Sequence, residues 1–563
     1  MHDLVIRQGM VIDGTGEDRR ITDVAVDGGR IAAVGSGIGP GRREIKAGGL
    51  LVTPGFVDIH THYDGQATWD SQLAPSSLHG VTTAIFGNCG VGFAPVRPGT
   101  SGFLINLMEG IEDIPGTVLA EGVRFNWESF PEYMAALDAI PHAIDIGTQV
   151  PHTALRFYVM GKRGAVHDEA PTEAEIARMG ALLEEALAEG ALGFTTSRTT
   201  KHRAKDGRLV PSLSAREPEL AGLARAMSRA GRGVLEVNSD FGPGEFEAMQ
   251  EAAVIAGRPL SCLLVQVKQH PRLWRETLDW IHAMRTKGID ATAQVASRGI
   301  GVMMGLETTL HPFTGHPAWL ELGHLSPAAR YSQLKEDAAL RRRLIEERSN
   351  DPVTERVIEM LPRTFWLGPD LNYEPDMATN VVAEAAARGR TVWDYTLELM
   401  MTDNGQGMLM HPFENYAGGN LDTVREMLTD PATVMGVADG GAHVGIICDA
   451  SQPTFMLSYW GRDRKRGRLP LEFLVRKHAR DTAVAYGLTD RGVLAPGLKA
   501  DINIIDPNAV RLTPPEVIYD LPTGGKRIMQ KAKGYLHTFV SGVETLCNDV
   551  PTGALPGRLV RGS

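Results

Sequence analysis

Short apolar runs broken by turn residues occupy both ends of the chain, and between them such runs alternate with amphipathic stretches of helical period. At the start, Leu4-Val-Ile6, Met10-Val-Ile12, Val24-Ala-Val26 and Ile31-Ala-Ala-Val34 read as strands, with Asp27-Gly28 as a hairpin signal. The far end reads the same way, in Ala500-Asp-Ile-Asn-Ile-Ile505 and His537-Thr-Phe-Val-Ser-Gly-Val543. Neither piece buries enough apolar surface alone, so residues 1–52 and 489–563 are expected to pair into one small β-domain. Within residues 53–488, eight runs predict strands: 55–62, 81–89, 143–150, 191–197, 234–239, 260–267, 289–296 and 433–439. Most are followed by a helical stretch, the pattern of a (β/α)₈ barrel. One helix is well marked, opening on the capping box Thr172-Glu-Ala-Glu175 and closing at Gly190. About 130 residues separate the seventh and eighth runs, too many for one crossover. A helical insertion over about 300–425 is expected there.

The first barrel run ends in His60-Thr-His62. Strand side chains alternate faces, so Asp58, His60 and His62 point one way while Val57, Ile59 and Thr61 point the other. Neutral imidazoles each offer a lone pair, so this pair can share one cation. In such a barrel chemistry sits where the strands end on their C-terminal side, and Cys89 and Asp439 also close predicted strands. A free cysteine is ordinarily a small apolar core residue, but beside paired histidines a thiolate ligand is the stronger reading. Asp439 precedes Gly440-Gly441, which lets the backbone bend and present the carboxylate at the strand tip. A carboxylate there can take a proton from water and return it to a leaving nitrogen. Cys262, Cys448 and Cys547 carry no assigned role.

Pro54-Gly-Phe-Val-Asp-Ile-His-Thr-His62, Phe86-Gly-Asn-Cys-Gly90 and Val437-Ala-Asp-Gly-Gly-Ala-His443 together resemble the first-, second- and eighth-strand motifs of the metal-dependent amidohydrolase superfamily. Within it the match is to the D-aminoacylases (N-acyl-D-amino-acid deacylases). The resemblance implies an α/β fold, a (β/α)₈ TIM-like barrel with a small β-sandwich domain built from both termini. It implies Cys89 as a metal ligand, and Asp439 as both ligand and proton shuttle. It also implies histidine ligands ending strands five and six, where this chain places Asn238 and the Gln266 region. Neutral amides are weak ligands for zinc. One tightly held ion on His60, His62 and Asp439, with Cys89 a ligand or close neighbour, is therefore expected. Zinc is the implied cofactor, as one or two ions, and another divalent metal would serve. His270, Glu236 and His152 are the substitutes considered as ligands, and His443 reads as structural or as a support behind the ligands.

Composition narrows the partners. A net charge of −11 gives no reason to expect nucleic acid or an anionic membrane. No apolar run approaches the length of a membrane span, and the N-terminal residues lack the apolar core of a signal peptide. Only 4 cysteines in 563 residues fit a reducing compartment, so a cytoplasmic protein acting on a small molecule is expected, its oligomeric state open. Strand ends offer Arg198, Lys201, His202, Lys268 and Arg298, cations that suit an anionic substrate; Arg198, Lys268 and Arg298 are the substrate-binding candidates. The expected function is hydrolysis of a linear amide, most like deacylation of N-acyl-D-amino acids, by metal-activated water with Asp439 as shuttle. Two alternatives stand beside it: a cyclic or xenobiotic amide as substrate, or a catalytically impaired barrel acting as a binding protein.

Overall fold

A computed structural model describes residues 1–216 and 218–562. Each of the eight predicted runs contains a parallel strand: Phe56–Asp58, Val81–Phe86, Asp145–Thr148 (resumed at Val150–Pro151), Gly193–Arg198, Val234–Ser239, Leu260–Leu263, Ala291–Val295 and Thr433–Met435. They are strands one to eight below. Strands one, two and three pair in order, and from Val150–Pro151 the pairing continues through strands four to eight. The ring closes where Thr61 bridges Gly440 in parallel. At that seam His62 N–H donates to the Gly440 carbonyl at 2.7 Å and Asp439 N–H to the His60 carbonyl at 3.1 Å. Closure of the barrel thus sets the histidine pair beside Asp439, although nearly the whole barrel sequence separates them.

The helix after strand three spans Glu173–Glu189, with Thr172 and Glu175 capping one another and Gly190 closing it at φ 112°. The segment between strands seven and eight corrects the expectation of a purely helical insertion. Ile300–Met304, Phe365–Trp366 and Leu409–Glu414 form a three-stranded antiparallel sheet, over which helices such as Pro327–Glu336, Ala338–Glu346 and Val392–Gly405 pack. This unit has its own core of residues such as Met304, Phe313, Leu334, Leu344 and Met400. The central strand, Leu409–Glu414, lies about a hundred residues after its partner Ile300–Met304, so no local hairpin signal reveals the pairing.

Both chain ends enter one nine-stranded sheet. Leu51–Pro54 pairs antiparallel with Ile502–Ile505, joining the N-terminal strands to the C-terminal ones around Ile6, Val24, Val52, Ile502, Ile504 and Phe539. The Asp27-Gly28 signal is met by antiparallel strands Arg20–Asp27 and Arg30–Gly35, with Gly28 and Gly29 both at positive φ. The C-terminal segment then returns to the barrel, where Asp145 on strand three accepts from Arg491 Nη1 and Lys499 Nζ, each at 2.6 Å. No helix among the described residues is long and apolar enough to cross a membrane.

Candidate metal centre

Three short extensions past the strands carry the centre. The chain beyond strand one is fully buried and brings in His60 and His62; a single turn after strand two, Asn88–Gly90, brings in Cys89. The bend after strand eight brings in Asp439. The donor atoms of His60, His62 and Cys89 all lie within 4.8 Å of one another. His60 Nε2 is 3.4 Å from Cys89 Sγ and 3.4 Å from Asp439 Oδ1, and His62 Nε2 is 3.7 Å from the same carboxylate oxygen. The backbone is strained at this place: Cys89, Val437, Asp439 and His443 all have φ between 49° and 56°. Non-glycine residues rarely adopt that region, and each costs about 1–3 kcal/mol unless the surroundings enforce it.

What stands behind each ring differs. His60 Nδ1 meets Gln294 Oε1 at 2.8 Å, and the same amide donates to Ser261 Oγ at 2.9 Å, so the second nitrogen of His60 faces the centre. His62 Nδ1 instead faces a carboxylate, Glu112 Oε1, at 3.3 Å. Burial pulls the His60 imidazole down to about 4, leaving a neutral ring with a free lone pair. Burial, the largest influence, opposes charge on His62, but Glu112, Asp439 and Cys89 together outweigh it and raise that ring well above the usual range. For Asp439, burial pushes the carboxyl up, while the His62 contact and the charges of His60 and His62 more than offset it and hold it at about 2. Burial pushes the Cys89 thiol up to about 12. A divalent cation beside a thiol reverses that balance and takes its proton.

The residues expected as replacements or anchors are placed as follows. Asn238, ending strand five, lies at the centre, its Nδ2 3.3 Å from Cys89 Sγ and 3.4 Å from His202 Nε2. His202 is tied to Ser197 Oγ through Nδ1 at 2.8 Å, and burial lowers it to about 3. Gln266 turns away: its side chain accepts from Ala417 N and donates to Thr423 Oγ1. Glu236 lies beneath, accepting from Cys89 N at 3.0 Å, and burial raises it to about 8. His152 pairs with Glu219 and Thr196, and His270 is exposed. Arg198 and Arg298, expected as free cations, are both spoken for within the protein. Arg198 grips Glu245 and the Ala215 carbonyl, and Arg298, 1% exposed, holds Asp449 and the Cys448 carbonyl while lying over Tyr373. Their strand-end registers are as expected, but buried guanidiniums take protein carboxylates as partners because an unpaired buried charge is costly. Lys201 pairs with Glu414. Lys268 is exposed and has no partner among the described residues. Sequence reasoning missed Gln294 and Glu112, the two groups that orient the histidines.

The Amidohydrolase family pattern matches residues 43–546. A D-aminoacylase of Alcaligenes xylosoxydans xylosoxydans is 28% identical over 573 residues, covering 99% of this chain and 97% of the relative. An N-acyl-D-aspartate deacylase from the same organism is 35% identical over 291 residues, covering 50% of this chain and 53% of the relative. A solved D-aminoacylase, whose metal centre is described as binuclear, superposes with a TM-score of 0.66 at 25% identity, covering 100% of both chains. With its closed barrel and its His60, His62 and Asp439 cluster, the chain belongs to the amidohydrolase family.

Proposed function

We propose that the protein is a metal-dependent hydrolase of linear amides that deacylates N-acyl-D-amino acids. The observation that carries this reading is the convergence of His60, His62, Cys89 and Asp439 on one buried point at the barrel mouth. These donors fit a divalent cation: two neutral-capable imidazoles, a thiol and an ionised carboxylate, turned toward one another, with the Asn238 amide beside the thiol. His60 Nε2, His62 Nε2, Cys89 Sγ and Asp439 would hold it. A cation bound there supplies Lewis acidity, lowering the pKa of water from 15.7 toward about 7 and polarising the scissile carbonyl. Asp439, ionised at neutral pH, accepts the proton of the attacking water and returns it to the amide nitrogen. An amine leaves poorly unless protonated, so that return is as important as the attack.

Relatives named for D-aminoacylase and N-acyl-D-aspartate deacylase support an N-acyl-D-amino acid as the substrate. Lys268 is the free cation left to meet its carboxylate. A cavity of about 390 Å³ opens two residues beyond His443; it is lined by Ile114, Leu306 and Trp319 together with the charged Asp113, Arg330 and Lys526, and its apolar wall suits the acyl or side-chain group. A cytoplasmic location follows from the cysteine usage and belongs to the same reading. The test is hydrolysis of paired D- and L-N-acyl amino acids by the zinc-loaded protein, beside hydantoins and other cyclic amides. Turnover of a D-enantiomer faster than its L-partner is expected, with a raised KM in Lys268→Ala. Activity confined to uncharged or cyclic amides would overturn the reading.

A further inference from the structure

Glu112 is the last residue of the helix Ser101–Glu112, which follows the Cys89 turn. Leu104, Leu107, Met108 and Ile111 bury one face of that helix, and Glu112 continues the same stripe into the protein at 1% exposure. A carboxylate so placed needs a partner. Yet neither of its oxygens makes a hydrogen bond among the described residues. What they face are two imidazoles: Oε1 lies 3.3 Å from His62 Nδ1, and Oε2 lies 3.7 Å from His443 Nε2. Among the described residues no arginine, lysine or hydroxyl pairs with it. The surrounding backbone holds it in place, since Val444 N–H donates to the Glu112 carbonyl and Asp113 Oδ2 accepts from Gly445 N and Thr309 Oγ1. The end of one helix therefore clamps both the His62 segment and the loop that carries Asp439 and His443.

We propose that Glu112 is the positioning carboxylate of the metal centre: it keeps the proton of His62 on Nδ1, so that the Nε2 lone pair is turned to the cation, and it holds His443 at the entrance. The inference rests on the reading of His62 as a ligand. A histidine that binds metal through one nitrogen needs its other N–H stabilised, and a carboxylate does so while making the ring a stronger donor. His60 has a neutral amide in that place, so the two ligands, both close to Asp439, differ in basicity.

The experiment compares Glu112→Gln and Glu112→Leu with wild type and His62→Ala, measuring the zinc dissociation constant by chelator competition and the visible spectrum of the cobalt(II)-loaded protein. Glu112→Leu is expected to weaken zinc 10–100-fold and Glu112→Gln about 10-fold, both with an altered cobalt spectrum. A folded Glu112→Leu protein with wild-type zinc affinity would overturn the proposal. Where Glu112→Leu does not fold, a wild-type affinity and spectrum in the isosteric Glu112→Gln overturns it equally. His62→Ala separates the two layers of the argument. Retention of tightly bound zinc in that variant removes His62 as a ligand and with it the parent reading, whereas loss of zinc in His62→Ala alone removes only the role of Glu112.

Discussion

The proposed proton shuttle is the residue whose environment is most informative. Asp439 sits at positive φ, bonded through its backbone N–H to His60, with its side chain between two imidazoles. Its depressed pKa keeps it ionised across the neutral range, and only a carboxylate can both accept and return a proton there. Asp439→Asn preserves volume and removes that ability, so kcat is expected to fall roughly 10²–10⁴-fold with the fold intact. Steady-state kinetics with circular dichroism checks this; a loss of only a few-fold would reduce Asp439 to a structural role. The same scale explains why Arg198 and Arg298 do not offer themselves to substrate. A residue's register puts it at a strand end, but only the packing of neighbouring carboxylates decides whether its charge is free.

At the scale of elements, the Cys89 turn shows how tightly the centre is built. Gly90 has φ 67°, and a Cβ there would meet Ser197 N at 2.6 Å and Thr196 Cα at 2.9 Å, both backbone atoms of strand four. Neither can yield without moving a barrel strand. Gly90→Ala is therefore expected to displace Cys89 and lower bound zinc below one ion per chain, read by elemental analysis after dialysis against a weak chelator; stoichiometric zinc would show that the turn tolerates the shift. The helix ending at Glu112 carries a sequence signal that went unread. Its apolar positions at 104, 107, 108 and 111 have helical spacing, and the glutamate that continues the stripe is the signal that a charge is buried for a purpose. Sequence gives the anomaly, and only the arrival of His62 and His443 from distant segments gives the partner.

For the whole molecule, the seam between the β-domain and the barrel carries much of the cohesion. Asp145 on strand three is buried between Arg491 and Lys499, both from the C-terminal segment, and also accepts from the Arg558 backbone. Asp145→Leu leaves two cations short of a partner in a buried place, and about 3–5 kcal/mol of stability is expected to be lost. Urea unfolding would measure it; a cost under about 1 kcal/mol would mean that Asp490 and Asp501, which also pair with these cations, suffice.

The sequence by itself pointed to the eight strands, to pairing of the two chain ends, and to His60, His62, Cys89 and Asp439 as one candidate group, because each rests on a local period, a turn residue or a short motif. Strand ends are fixed by such signals, and the mouth of a barrel collects strand ends. The tertiary structure alone decided the rest. It paired Ile300–Met304 with Leu409–Glu414, gave Arg198 and Arg298 to Glu245 and Asp449, turned Gln266 outward and set Asn238 against Cys89. It also put Glu112 behind His62 and Gln294 behind His60. Those outcomes depend on which of several polar groups reaches a given buried charge first in space, and no period or spacing along the chain encodes that distance.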